Sequence, residues 1–246
     1  MQSEYQSSQP RSAAIGDSYS YIDTAEKQPR KIVSEDRAVA ATLQYRMVKR
    51  VFDILLVLIS LPVLVPLLAM ISAFVVLSSR GPVFYSHRRI RQNGVFFSMW
   101  KFRTMCENSA EVLEDHLRSH PDARAEWNRT HKLKKDPRIT SVGRVLRRYS
   151  MDELPQVWNV MRGQMALVGP RPIVAAEVEK YGEGFRHYCR VKPGLTGLWQ
   201  VSGRSELTYA QRVALDCDYV ERWSLRRDVV ILTRTFSSVV NKDGAY

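Results

Sequence analysis

Asp152 and Glu153 are adjacent carboxylates that follow three arginines, Arg144, Arg147 and Arg148, at short range. A carboxylate kept ionised beside phosphate-binding cations can attack phosphorus as a nucleophile, or share a Mg²⁺ ion with its neighbour. The same pair in the first turn of a helix can equally do no more than cap it. Val142, Val145, Leu146 and Tyr149 have the spacing of one helix face beginning near Thr140 or Ser141. Leu154, Val157, Trp158 and Met161 repeat it, predicting a second helix capped by Ser150 or Asp152, with Pro155 in its first turn. The dyad then lies at a helix N-terminus behind three arginines, and both surroundings favour ionised carboxylates. Downstream, Gly169-Pro170-Arg171-Pro172 and Lys192-Pro193-Gly194-Leu195-Thr196-Gly197 are stiff loops, each with one cation. They can present backbone N–H groups and a fixed charge to phosphate, or serve only as turns. Trp199, Arg204, Asp216, Tyr219 and Trp223 add polar and aromatic groups, and 228–240 can form a last helix. Trp199 and Trp223 suit either a lipid interface or the core.

These groups need a scaffold, and upstream the sequence supplies a membrane segment and a hairpin. Ile54 to Leu77 is a 24-residue stretch without charge. A straight helix of that length rises about 36 Å, enough for a hydrocarbon layer of roughly 30 Å. Pro62 and Pro66 fall near its middle, each removing a backbone N–H and opposing the carbonyl four residues back. Both flanks are basic, with Arg46, Lys49 and Arg50 before and Arg80, Arg88, Arg89 and Arg91 after. Two basic flanks fit two ends on the cytoplasmic side. The expectation is therefore a re-entrant helix broken at Pro62 and Pro66, with a proline-kinked single span as the alternative. Next, VFYSHRRIRQ and VFFSMWKFRT flank Asn93-Gly94, predicting a β-hairpin with a type I′ turn. Its basic residues are His87, Arg88, Arg89, Arg91, Lys101 and Arg103, some of which must face phosphate or headgroups. Residues 107–135 read as a solvated helical excursion with a breaker at Pro121.

Composition bounds the rest. With 37 Lys plus Arg against 25 Asp plus Glu, the 246-residue chain carries a net charge of +12, implying polyanionic partners. Three cysteines, none in a CxxC pair, suggest neither a disulfide framework nor structural zinc and fit a reducing compartment. Residues 1–42, rich in Ser, Gln, Ala and Pro, are expected to be disordered, and their first thirty residues hold no apolar run for a signal peptide. The organisation expected is a tail over 1–42, a basic approach and membrane helix over 43–80, and a cytoplasmic catalytic domain over 81–246. The fold class is α+β, mainly helical, with the small hairpin beside the membrane helix.

A basic KR-VFD lead-in to the proline-interrupted segment is followed by GPVFY, KFRTM, DELPQ, LVGPRP, KPGLTG-WQV-GR and DYVERWS. In that order they resemble the bacterial sugar transferases, monotopic phosphoglycosyl transferases, and in particular their exopolysaccharide-initiating, ExoY-type branch. The resemblance runs from about Tyr45 to Asn241. It implies transfer of a sugar 1-phosphate, glucose or galactose being favoured, from a UDP-sugar to undecaprenyl phosphate at the cytoplasmic face of the bacterial inner membrane. Asp152 would be the nucleophile that forms a covalent phosphosugar, and Glu153 would help to hold Mg²⁺. Arg147, Arg171, Arg204, Lys101 and Arg103 would meet phosphate or nucleotide. Inner-membrane lipids and a second copy are the other partners implied. Val65 stands before Pro66 where the family often has Ser, and Asp218 stands where an aromatic residue is common. The competing reading is a membrane-tethered basic protein that binds anionic lipid or nucleic acid without catalysis. No helix-turn-helix, RNA-recognition or zinc-finger pattern supports nucleic acid as the partner.

Overall fold

The computed structural model describes residues 43–203 and 206–240; the expected tail over 1–42 and Arg204 lie outside these described residues. Helix α1, Leu43–Ser78, is long and apolar enough to cross a membrane. Pro62 and Pro66 lie inside it, and the chain stays in one helical element through both. Each proline removes one N–H, but packing on either side can hold the chain helical across such a gap.

That packing runs along one stripe. Tyr45, Lys49, Asp53, Val57, Ile71 and Val75 are buried, whereas Met47, Leu55, Ile59, Val63, Phe74 and Leu77 are bare. Near its start, Tyr45 joins Tyr219, Val220 and Ile231 in a core cluster and meets Trp223 edge-on at 4.5 Å. Midway, Val57 packs with Phe97, Met99, Val160 and Met165. Near its end, Ile71 and Val75 pack with Phe102 and Leu146. Both ends of the apolar helix therefore rest on the rest of the protein. Polar ties reinforce the first end: Lys49 Nζ lies 2.6 Å from Asp53 Oδ1 and 3.2 Å from Asp228 Oδ2.

Strands β1, Phe84–Ile90, and β2, Phe96–Phe102, pair antiparallel with Tyr85 opposite Lys101, His87 opposite Met99 and Arg89 opposite Phe97. Asn93 and Gly94 both take positive φ, 63° and 71°, as the predicted turn requires. The strands are nevertheless joined by the five residues Arg91 to Val95, because the tip is tied elsewhere: Asn93 N–H donates to the Cys189 carbonyl and Gln92 Nε2 to that of Arg190. Helices α2, Ser109–Ser119, and α3, Pro121–Thr130, form the polar excursion, with Pro121 in the first turn of α3 where a missing N–H costs nothing.

Helix α4, Ser141–Arg148, is capped by Thr140, whose side chain accepts from Gly143 N–H at 2.9 Å. Its buried face is Gly143 and Leu146; Val145, expected on that face, is exposed. Gly143 takes the buried place because a Cβ there would lie 2.2 Å from the Thr104 carbonyl oxygen. A short 3₁₀ turn, Met151–Glu153, then precedes α5, Gln156–Met161. Beyond lie β3, Ala166–Val168, and β4, Gly194–Thr196, which pair parallel. Helices α6, Val178–Tyr181, and α7, Gly184–Tyr188, connect them, and α8, Tyr209–Glu221, and α9, Leu225–Val240, close the chain. The described part is thus mainly helical with two small sheets. Trp199 is 8% exposed and belongs to the protein interior, whereas the half-buried Trp223 packs on Tyr45 and donates to Asp228.

Candidate active site

Asp152 and Glu153 do not cap an α-helix. They lie in the 3₁₀ turn, α5 begins three residues later, and neither Ser150 nor Pro155 makes a side-chain cap. Ser150 turns the chain between α4 and the dyad with φ 54°, a left-handed backbone that costs a non-glycine residue roughly 1 kcal/mol. Asn159, fully buried on α5, pins this segment to β2: its Nδ2 donates to the Ser98 carbonyl at 2.8 Å and its Oδ1 accepts from Trp100 N–H at 3.1 Å. Arg50 of α1 donates to the carbonyls of Val160 and Met161 at the C-terminal end of α5, where a cation suits the helix dipole. The dyad is therefore held from three sides by the strand, by α4 and by the apolar helix.

The cation that meets it is Lys101. Its Nζ lies 2.6 Å from Glu153 Oε1 and 3.8 Å from Asp152 Oδ2. Burial alone would push the Glu153 carboxyl up, but Lys101, Arg171 and Arg89 outweigh it and hold the group below the usual carboxylate range. Asp152 goes the other way. Burial, with the like charge of Glu153 behind it, raises its pKa despite Lys101 and Arg147. The expectation that the surroundings favour both carboxylates as anions holds for Glu153 and is corrected for Asp152, which burial and the charge of Glu153 push the other way.

Of the residues expected at the site, Lys101, Arg147 and Arg171 gather round the dyad. Arg147 donates from Nε to Thr104 Oγ1 at 2.8 Å and faces Asp152. Arg171 lines a small cleft with Met99, Glu153, Gln156, Gly194 and Gln200. Arg103 is placed differently: its guanidinium donates to Ser79 O at 2.7 Å, just past the end of α1. Arg89 belongs to the site although the spacing of the motifs did not single it out. It lies on the same sheet face as Lys101, by the register of the hairpin, and acts on Glu153. The alternation of strand side chains was the signal that could have found it. Asp216 is buried and accepts from the Tyr181 hydroxyl at 2.6 Å, and burial pushes its pKa up to about 7.

Among the described residues no group of three or more His, Cys, Asp or Glu side chains could hold a metal ion. Two adjacent carboxylates still fit Mg²⁺, which is commonly held by one or two carboxylates together with substrate phosphate oxygens and water. Glu153 and Asp152 are the groups that would hold it, and Lys101 would have to share Glu153 with the ion.

A model of the family described as "Bacterial sugar transferase" matches residues 44–242. The chain is 51% identical over 200 residues to the exopolysaccharide production protein ExoY of Rhizobium meliloti, covering 81% of this chain and 88% of that one. It is 48% identical over 201 residues to the undecaprenyl-phosphate galactose phosphotransferase of Salmonella typhimurium, covering 82% of this chain but 42% of that longer protein. It is 40% identical over 206 residues to the UDP-glucose:undecaprenyl-phosphate glucose-1-phosphate transferase of Xanthomonas campestris, covering 80% and 40%. With a carboxylate dyad set among cations, and with likeness along nearly all of its described length, the chain is a transferase enzyme that belongs to the bacterial sugar transferase family.

Proposed function

We propose that the chain transfers a hexose 1-phosphate from a UDP-sugar to undecaprenyl phosphate, as the opening step of exopolysaccharide assembly at the cytoplasmic face of the inner membrane. The observation that carries this reading is the Asp152–Glu153 pair set beside Lys101, with Arg89, Arg147 and Arg171 around it. An Asp152 carboxylate oxygen bonds to the β-phosphorus of the donor. The bond from that phosphorus to the bridging oxygen breaks, and the oxygen leaves with the α-phosphate as UMP. An oxygen of the lipid phosphate then bonds to the same phosphorus, and the Asp152 oxygen departs as a free carboxylate. This two-step course predicts ping-pong kinetics. Lys101, Arg89 and Arg171 hold the negative phosphates against the carboxylates, which would otherwise repel them. Mg²⁺ bound at Glu153 would neutralise diphosphate charge. Relatives named for galactose and for glucose transfer support a hexose, and either fits.

The long helix serves the second substrate. Its bare residues call for lipid, while its two ends rest on the catalytic part of the protein. This supports a helix that enters the membrane and returns to one side, so that a dissolved nucleotide sugar and a membrane-bound phosphate reach one face. The reading is tested by UMP release from detergent-solubilised protein given undecaprenyl phosphate, Mg²⁺ and a panel of UDP-sugars. Release beyond one equivalent per enzyme is expected to require the lipid, and any release to require the metal and Asp152. Release that persists in Asp152→Asn would overturn the assignment.

A further inference from the structure

Beyond the dyad, a second cationic cluster surrounds Trp199. The Arg171 guanidinium carbon lies 5.9 Å from the Trp199 ring centroid and that of Arg212, on α8, lies 4.9 Å from it. Arg171 also reaches the other way, lining the cleft with Glu153 and lowering its pKa. Glu153, Arg171, Trp199 and Arg212 thus follow one another away from the reacting carboxylates.

Arg212 lacks the partner its position would give it. Asp216 is four residues on along the same helix, the spacing at which opposite charges ordinarily pair. It does not pair with Arg212: its Oδ2 accepts from the buried Tyr181 hydroxyl, and its Oδ1 is buried without a hydrogen-bond partner. The nearby Glu177 is also engaged, by Val174 N–H at 3.0 Å and by Arg89 at 3.7 Å. Among the described residues, neither Arg212 nor Arg171 forms an ion pair with any carboxylate, and Arg212 Nε is buried without a hydrogen-bond partner. One turn before it, the Tyr209 hydroxyl is buried and unpartnered as well. Arg212 acts on Tyr209 electrostatically, so the two lie close together. The two unsatisfied donors, Arg212 Nε and the Tyr209 hydroxyl, on an unneutralised guanidinium and its neighbour require an acceptor, and a bound anion supplies one; the Asp216 Oδ1 acceptor is not served by it.

We infer that Arg212, held against Trp199 and beside Tyr209, binds the α-phosphate of the nucleotide donor and retains the departing UMP. The inference rests on the donor proposed above and adds the order of its phosphates: the β-phosphorus at Asp152, the diphosphate along Arg171, the nucleotide phosphate at Arg212. When the bond from the β-phosphorus to the bridging oxygen breaks, the extra negative charge appears on the α-phosphate. A guanidinium there stabilises that leaving group.

The test measures UMP and UDP binding to the full-length protein in detergent by calorimetry, for the wild type, Arg212→Gln and Arg212→Lys, with thermal unfolding checked for each. Arg212→Gln is expected to weaken UMP about 10- to 100-fold, as loss of a charged hydrogen bond should, and to raise KM for the UDP-sugar in step. Arg212→Lys keeps the charge without the planar fork and is expected to fall between. Reaction of the isolated phosphosugar intermediate with undecaprenyl phosphate, which does not involve the nucleotide, is expected to keep its wild-type rate. UMP affinity within twofold of wild type in Arg212→Gln, or an equal loss in the lipid half-reaction, would overturn the inference. If Arg212→Gln does not fold, Arg212→Lys carries the same comparison. Wild-type protein that binds neither UMP nor UDP sinks this inference together with the donor reading. Arg212-dependent UMP binding without turnover of any UDP-sugar leaves the inference standing and removes the proposed reaction.

Discussion

Lys101 Nζ sits 2.6 Å from Glu153 Oε1 and 3.8 Å from Asp152 Oδ2, so a single ammonium serves both carboxylates, and serves them unequally. Removing it as Lys101→Met takes away the leading opposing charge from each, and both carboxyl pKa values rise. The expected result is a fall in kcat/KM of about 100-fold, by analogy with loss of one preorganised electrostatic contact. The acidic limb of the pH–rate profile should also move to higher pH, because the ionised nucleophile is then lost sooner as pH drops. A lower rate with an unmoved limb would show that Lys101 acts on substrate alone.

Asp152→Asn should lower UMP release by about 10³-fold or more and leave no sugar phosphate on the protein after acid quenching. The same change should raise the unfolding temperature at neutral pH. The sign follows from linkage: Asp152 has a folded pKa raised above its unfolded value, so keeping it ionised in the folded protein costs stability at all pH values above both. Asparagine removes that cost. An unfolding midpoint that drops would mean the charge at Asp152 is a structural asset.

Asp216 makes a pH prediction of its own. Its pKa rises to about 7 because it is buried, so the folded state holds its proton more tightly than the unfolded chain does. Stability should therefore fall as pH rises through about 7, with a slope from this group of at most about 1.4 kcal/mol per pH unit. Thermal unfolding between about pH 4.5 and 8 measures the slope, which should level off above 7, and Asp216→Asn should flatten it. Identical slopes in the two proteins would assign the trend to other groups.

Gly143→Ala tests how Arg147 is positioned. An added Cβ meets the Thr104 carbonyl oxygen at 2.2 Å, and Thr104 Oγ1 is the acceptor for Arg147 Nε. Overpacking of this kind costs about 1–3 kcal/mol. Denaturant unfolding should record that loss, and turnover should fall beyond what the loss of folded protein explains, since α4 and Arg147 must move together. Wild-type turnover per folded molecule would separate Arg147 from the chemistry.

The path of α1 is open to labelling. Arg46 lies near its start and Arg80 just beyond its end, on flanks that both belong to the cytoplasmic side in the proposed topology. In intact spheroplasts a membrane-impermeant maleimide should label neither Arg46→Cys nor Arg80→Cys above the background of the three native cysteines, and both should react once the membrane is opened. Labelling of one site alone from outside would establish a single crossing.

Much of this was readable in the residues because it depends on short-range chemistry. Thr140 caps α4, Pro121 begins α3, and Asn93-Gly94 turns the hairpin, each because its backbone preference is local. The misplaced details have tertiary causes. Val145 has the right spacing to be buried, yet Gly143 takes the inner face because α4 presses on the Thr104 backbone. The prolines of α1 leave it one helical element, a stripe of which is packed from Tyr45 to Val75. Arg103 matches a motif position, but its guanidinium closes on Ser79. Arg89 and Arg212 reach the site only through strand register and a stacked indole, and neither relation is visible in motif spacing.

The stripe of α1 that packs along the protein also limits how the enzyme can be handled. Tyr45, Val57, Ile71 and Val75 belong to three separate core clusters, and Arg50 finishes the helix behind the dyad. Cutting the chain after residue 80 would remove one wall from each cluster and bare Phe97, Phe102, Val160 and Tyr219 together. Helix α1 is not a detachable module: a truncation lacking it is expected to aggregate rather than work, because the apolar faces it covers would be left bare.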